Sequence, residues 1–333
     1  MENSTNFMAV PKAGDGAGGL VRHLRACHNA TLPGERLAFR IGAARVGWVL
    51  PEIAAALAGH PAVDVAPDAA PDAAPGAAPD VAPDAALDAA PDAAPDAVPG
   101  AAPGAAPDVA PGAVTLRDGA ALPGLARALA GRGLLRLRGE AFDVRATEDG
   151  PVLGRIDRGA IPKFGVQAVG VHVNGLVRTQ DGPHLWVARR ARDKLLDPGK
   201  LDHVVAGGVP AGLGPWETLI KEAGEEAAIP PALAAQAKRV GRISYAMVRG
   251  EGLRRDLLYC YDLALPADFR PVPADGEVEA FELWPIARVL ETVRRSDDFK
   301  FNVNLVLIDL FIRLGLVEGP EADALRAGLS APD

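Results

Sequence analysis

The sequence predicts an α+β protein in two domains. The smaller domain (residues 20–162) is α+β and carries an inserted disordered repeat. In the larger (163–318), strands surround a central helix and another helix closes the far side. Three observations predict this. Proline recurs every fourth residue from Pro67 to Pro111, with Leu87 in the one slot it misses. Residues 166–174 carry the period-two alternation of a strand. The run Gly207-Gly208-Val209-Pro210-Ala211-Gly212-Leu213 leads straight into an amphipathic helix over 215–229. A chain of 333 residues has room for two ordinary domains.

Residues 1–19 are polar and glycine-rich and read as a disordered tail. Leu20, Leu24 and Cys27 at helical spacing predict a helix over 20–28. The turn Leu32-Pro33-Gly34-Glu35 leads into a strand over 36–41, and Gly42 separates it from another over 45–50. Pro51 suits the first turn of a helix over 51–58. Beyond the repeat, 114–116 resumes as a strand. Residues 122–132 form a helix with Leu122, Leu125 and Leu129 on one face, and 133–138 and 140–146 are further short elements. His23 and His28 lack acid or cysteine partners and read as structural or exposed. This domain shows no catalytic constellation.

The repeat, 66–113, combines dense proline with alanine. Proline removes backbone donors and forbids helix interiors, and alanine offers too little surface to offset the entropy of ordering. It reads as a disordered spacer leaning toward polyproline II. The aspartates that follow its slots (Asp68, Asp72, Asp80, Asp84, Asp88, Asp92, Asp96, Asp108) match in number the whole net charge of −8, so the rest of the protein is near neutral.

The second domain opens with a strand over 163–179. Asp181-Gly182 is a hairpin signal and 185–191 the return strand. Residues 201–205 lead into the glycine run. A hairpin pair, 240–248 and 256–265, follows the acidic helix, then a last strand (278–283) and helices over 289–295 and 301–314. Residues 319–333 read as a tail.

The chemistry sits in the glycine run and its helix. On a helical wheel Trp216, Ile220, Ala223 and Ala227 form the apolar stripe, and Glu222, Glu225 and Glu226 share another arc. Three like charges there repel unless a cation neutralises them. Hard divalent ions such as Mg²⁺ take carboxylate, water and phosphate oxygens. The glycines allow close backbone approach, and helix N-termini favour anions. An acidic run alone is usually a solvated face; loop, spacing and stripe together describe a site for a metal-bound phosphate ester.

These residues resemble the Nudix box, G-x5-E-x7-R-E-U-x-E-E-x-G-U, with U aliphatic. Its REUxEE falls on Lys221, Glu222, Ala223, Gly224, Glu225 and Glu226, its first glycine on Gly207 and its final aliphatic on Ile229. Three positions depart: Leu213 stands for the first glutamate, Lys221 for the arginine and Ala228 for the last glycine. Lys221 keeps a charge without the guanidinium fork, and Glu217, four residues earlier, is placed to pair with it. The phrases Gly170-Val-His-Val-Asn-Gly175, Leu185-Trp-Val-Ala-Arg-Arg190, Pro198-Gly-Lys-Leu-Asp202 and Phe299-Lys-Phe-Asn302 resemble a Nudix subgroup typified by the C-terminal part of fungal thiamine pyrophosphokinase. The resemblance implies an α/β/α sandwich. It implies Mg²⁺ (or Mn²⁺) on Glu222, Glu225 and Glu226, with diphosphatase activity on a small-molecule diphosphate. Thiamine diphosphate and its oxidised analogues are the substrates it suggests.

Lys221, with Gly207 and Gly208 of the loop, belongs to this expected site. Glu277, in Asp275-Gly-Glu-Val-Glu279, is a candidate general base; a solvated strand end is the other reading. Arg189, Arg190 and Lys194 flank the loop as candidate phosphate ligands, with surface charge as the alternative for each. Trp186, Trp216 and Trp284 read more readily as core than as stacking platforms. Two further functions stay open: a non-catalytic ligand-binding module, which Leu213 favours, and a diphosphate isomerase, which would need Cys260 facing substrate. Net charge −8 points away from nucleic acid. Two distant cysteines, Cys27 and Cys260, suggest neither a disulfide framework nor a zinc site and fit a reducing cytoplasm. No run of ~18 apolar residues predicts a membrane span, and the first twenty residues show no secretory pattern.

Overall fold

The computed structural model describes residues 19–66 and 112–330. The first element among the described residues is α1 (Val21–Cys27). The N-terminal unit then runs β1 (Leu37–Ile41), β2 (Ala44–Val49), α2 (Pro51–Leu57), β3 (Val63–Ala66), β4 (Ala113–Leu116), α3 (Leu122–Gly131), β5 (Ala141–Val144), β6 (Gly154–Asp157) and α4 (Ile161–Phe164). Its sheet is ordered β2-β1-β4-β3, and β5 pairs with β6 separately. Pro51 occupies the first turn of α2 after an extended Leu50, where a missing N–H costs nothing. Leu122, Leu125 and Leu129 of α3 pack with Ile53 and Leu57 of α2 over Phe39 and Val114 of the sheet.

Four expectations change here. The repeat was bounded at 66–113, but Ala66 and Ala113 are strand residues paired with each other. The segment 67–111, with its expected disorder, lies outside the described residues. The short element expected over 133–138 is neither helix nor strand: Gly133 and Gly139 take left-handed φ of 73° and 77°, and the Leu134 N–H caps α3 through Leu129 O. The strand expected from residue 163 begins at Gln167, because α4 ends on a left-handed Gly165. Finally, β3, β6 and α4 are too short to show periodicity.

The C-terminal unit contains β7 (Gln167–Thr179), β8 (Gly182–Arg190), β9 (Leu201–Asp202), β10 (Val205–Gly208), α5 (Pro215–Ala227), α6 (Pro231–Ala234), β11 (Lys238–Arg249), β12 (Gly252–Ala264), β13 (Val278–Pro285), α7 (Ile286–Arg295), α8 (Val303–Arg313) and α9 (Gly319–Ala327). The sheet runs β11-β12-β7-β8-β13, with β7 and β12 parallel. Along one edge β7 has two partners. Its last residues pair with β8 (Leu176↔Leu185), and its middle pairs with β10 (Gly208↔Gly170, Val205↔Val173). The sheet thus splits beside β7, and the glycines fill the split. Gly170 allows the close fit, since a Cβ there would sit 3.2 Å from Gly207 O.

One sheet face packs on α5 through Val171, Val205, Leu219 and Ala223. The other packs on α7 and α8 through Leu185, Val289, Leu305 and Phe311. This is an α/β/α sandwich. The tail expected over 319–333 is instead largely helix α9, whose Ala322 and Leu325, with Leu329 beyond it, complete that second core. Helix α1 joins it as well: Leu20, Leu24 and Cys27 lie in the same cluster, and Gly328 sits against Leu24. Its apolar face therefore belongs to the C-terminal core, whereas the sequence placed it in the N-terminal domain. Among the described residues no helix is long and apolar enough to cross a membrane.

Candidate active site

Helix α5 starts at Pro215 behind an extended Gly214 and ends on Ala228, a non-glycine residue at φ 52°. Its buried row is Leu219, Ala223 and Ala227, with Thr218 and Glu226. Trp216, expected in that row, is 40% exposed and leans on Tyr261 at 6.1 Å between ring centroids. The helix is rotated from the predicted stripe, and the rotation decides the chemistry. Residues three positions beyond Leu219 and Ala223 lie on the flank facing β10. Those residues are Glu222 and Glu226; Glu225 falls further round and is about half exposed.

Glu226 is buried, and its Oε2 accepts the Ala206 N–H at 2.9 Å. Glu222 lies against Gly207 so closely that a Cβ there would meet its Cγ at 2.6 Å. Burial raises the pKa of both carboxyls, Glu226's strongly, and neighbouring acids add to it, Glu225 and Glu277 for Glu222 and Asp202, Glu222 and Glu277 for Glu226. Lys221 does not pair with Glu217 as expected. Its Nζ donates to Glu222 Oε1 at 3.1 Å and to Glu225 Oε2, and these bonds raise its own pKa. The ammonium thus stands between two of the three acids.

The three carboxylates are the oxygen donors a hard divalent ion takes, but among the described residues they do not bring one donor atom each within 4.8 Å of one another. The charge on Glu222 and Glu226 is under-compensated by the protein, which is what a cation relieves. Glu225 joins such a set by giving up Lys221.

Glu277, at the approach to β13, is half exposed and paired with Lys194. Burial pushes its carboxyl up, but the Lys194 bond outweighs this and the net shift is downward. It acts electrostatically on both Glu222 and Glu226. Lys194, Glu277, Ala206 and Lys300 line a shared cavity of about 970 Å³ of open space. A second, of about 750 Å³, is lined by Ala206, Gly207, Gly208 and Lys300. The structure thus gathers Lys194 and Glu277 beside the loop.

It separates Arg189 from Arg190, because neighbours on a strand point to opposite faces. Arg189 binds Gly199 O and faces a different cavity with Trp284. It is therefore not a loop residue, correcting the expectation. Arg190 is buried and fully engaged: it donates to Asp202 Oδ2 at 2.8 Å and to the carbonyls of Asp197 and Leu196.

Asp202 opens a network the sequence reading did not assign. Burial raises its pKa, but Lys300 and Arg190 overcome this and hold it well below the usual range. His172 and His203 lie beside it, Nδ1 to Nδ1 at 3.0 Å, and burial keeps both neutral, His203 down to about 4. Among the described residues these three form the one trio whose donor atoms fall within 4.8 Å of each other. Two cations already neutralise Asp202 and the imidazoles meet through their Nδ1 atoms, while His203 Nε2 is buried without a hydrogen-bond partner, so the trio is a second donor set beside the α5 acids. His172, Asp202 and Lys300 stand in the phrases 170–175, 198–202 and 299–302, and His203 directly follows the second; those phrases were the available signal.

Cys260 is fully buried with its thiol pushed up by burial, so it faces no substrate. Trp186 and Trp284 are core.

Residues 168–304 match the family model of the NUDIX domain. Nudix hydrolase 24, chloroplastic, of Arabidopsis thaliana is 43% identical over 186 residues, covering 56% of this chain and 51% of the relative. An uncharacterized protein of Saccharomyces cerevisiae is 32% identical over 176 residues, 49% of this chain and 51% of its own length. The chain spans about half the length of the curated relatives it matches. Among solved structures, that of DR0079 from Deinococcus radiodurans superposes with a TM-score of 0.38 at 21% identity, covering 56% of this chain and 98% of that one.

Proposed function

With a NUDIX domain over residues 168–304, we propose that this chain is a divalent-metal-dependent hydrolase that cleaves the phosphoanhydride bond of a small-molecule diphosphate. The observation that carries the reading is the placement of Glu222 and Glu226 against the backbone of β10, both short of countercharge. Glu222, Glu225 and Glu226 would hold the ion. Mg²⁺ or Mn²⁺ bound there supplies charge neutralisation to the diphosphate and acidity to a coordinated water. Lys221 would keep its bond to Glu222 and release Glu225 to the ion. The general base would be Glu222 itself or Glu277, the acid beside the loop that pairs with Lys194.

The finer reading is a thiamine diphosphate, intact or oxidised, as substrate. It is supported by the phrases 170–175, 185–190, 198–202 and 299–302 that resemble the thiamine pyrophosphokinase-linked subgroup. The test is phosphate release from thiamine diphosphate, its oxo and oxy analogues, ADP-ribose and NADH, with and without Mg²⁺. The proposal predicts Mg²⁺-dependent turnover of at least one diphosphate, abolished in Glu225→Gln. Failure of every diphosphate to turn over, with Glu225→Gln indistinguishable from wild type, would leave a binding module.

A further inference from the structure

Among its described residues the N-terminal unit shows no catalytic constellation, yet it is docked on the loop that the site depends on. Strand β5 makes the contact. The Ala211 N–H donates to Ala141 O at 2.8 Å, and the Gly212 N–H donates to Asp143 Oδ2 at 3.1 Å. Arg155 holds the same carboxylate by Oδ1 at 3.1 Å. Phe142, buried between these residues, lies against Gly208 so tightly that a Cβ there would meet its Cζ at 2.7 Å. The C-terminal unit holds the first part of the run, through the β7 pairing, Glu222 and Glu226. The N–H groups of Ala211 and Gly212 beyond it are bonded instead to β5. The turn at 211–212 is therefore held from the other unit.

The same face supplies cations. Arg138 and Arg158 flank the β5–β6 hairpin, and both line the two cavities beside the glycines. The cations contributed to those walls by the C-terminal unit are committed, Arg190 and Lys300 to Asp202, Lys194 to Glu277 and Arg254 to Asp256, and Arg138 is paired with Glu251 at 2.6 Å. The partner of Arg158 is Glu140 at 2.8 Å, with side chains 43% and 37% exposed. Solvated pairs of that kind are weak, so an anion can displace Glu140. The Arg158 guanidinium also lies 5.8 Å from the centroid of the Phe142 ring, which orients it. Its field reaches the site, since it acts electrostatically on both Glu277 and Lys300.

We propose that the N-terminal unit completes the substrate site, with Arg158, backed by Arg138, binding the phosphate oxygens of a diphosphate seated over Gly207 and Gly208. This rests on the diphosphatase reading above. Guanidinium suits the task because its planar fork matches phosphate oxygens in pairs.

The test uses the full chain, with Mn²⁺ alone and methylenediphosphonate in the presence of Mn²⁺ as probes. Arg158→Gln is expected to weaken diphosphonate binding by about tenfold or more, the worth of a charge-assisted hydrogen bond, with Mn²⁺ affinity and thermal midpoint unchanged. Arg158→Lys should recover part of the loss. Wild-type diphosphonate affinity in both Arg158→Gln and the Arg138→Gln/Arg158→Gln double variant overturns the proposal. Unchanged Mn²⁺ and diphosphonate binding in Glu225→Gln, alongside a loss in Arg158→Gln, removes the metal reading and leaves the arginine assignment standing. A wild-type protein that binds Mn²⁺ but no diphosphonate overturns both.

Discussion

Replacing Glu226 by glutamine should make the metal-free protein more stable and the enzyme inactive. Glu226 is 7% exposed; its one described hydrogen-bond partner is the Ala206 N–H, and Asp202, Glu222 and Glu277 add repulsion. Burial raises its pKa well above the usual carboxylate range. The raised value means that folding disfavours the ionised form. Stability from this group is full below the unfolded pKa and is lost as pH rises through the folded one. Each unit of elevation costs about 1.4 kcal/mol at pH above it. Glutamine keeps an acceptor for Ala206 without the charge, so Glu226→Gln should gain at least about 1 kcal/mol in chelator at pH 8. For a protein of this size that is a rise of about 1–2 °C in Tm. Loss of one of three carboxylates should weaken Mn²⁺ binding by about tenfold or more, within the range for perturbed metal sites. The assay is thermal unfolding of both proteins in chelator and in Mn²⁺, with a Mn²⁺ titration. A variant less stable than wild type in chelator that still binds Mn²⁺ equally would refute this account of Glu226.

Further outcomes follow from the same geometry. Divalent-ion affinity should rise with pH across the range where Glu222 and Glu226 lose their protons, since both have raised pKa values and the ion competes with those protons; a pH-independent titration contradicts this. Ala228→Gly should stabilise the fold by about 1 kcal/mol, because alanine is held at φ 52° where only glycine is unstrained; denaturant unfolding reads it. Gly207→Ala should cut turnover while the protein stays folded, since the new methyl displaces the Glu222 side chain 2.6 Å away; kinetics beside circular dichroism check it. Asp202→Asn should cost about 3–5 kcal/mol, because it leaves Arg190 and Lys300 buried without their countercharge; a near-neutral midpoint in urea would contradict it.

The parts of the fold legible in the sequence were those with a strong local period. Strands β7, β8, β11 and β12 and helices α3, α5 and α8 announce themselves through alternation or helical spacing. The elements that were missed are short, such as β3, α4 and α6, or get their partners from afar. Helices α1 and α9 pack on each other's neighbourhood across nearly the whole chain, through Leu24 and Gly328, and nothing local encodes that pairing. The acids on α5 were legible as a cluster. The helix rotation that buries Glu226 and exposes Trp216 was not, because it depends on which row the sheet accepts. Arg189 and Arg190 looked equivalent in sequence and are separated by the pleat. The contacts of Ala141, Phe142 and Asp143 with the glycine run were invisible, since they join segments about 70 residues apart.

The most direct test of the central claim is an anomalous-scattering map of crystals soaked in Mn²⁺ with methylenediphosphonate. The account predicts a peak held by Glu222, Glu225 and Glu226, with phosphonate oxygens on the side of Gly207 and Arg158. A peak among His172, Asp202 and His203, with the α5 carboxylates unligated, would contradict it.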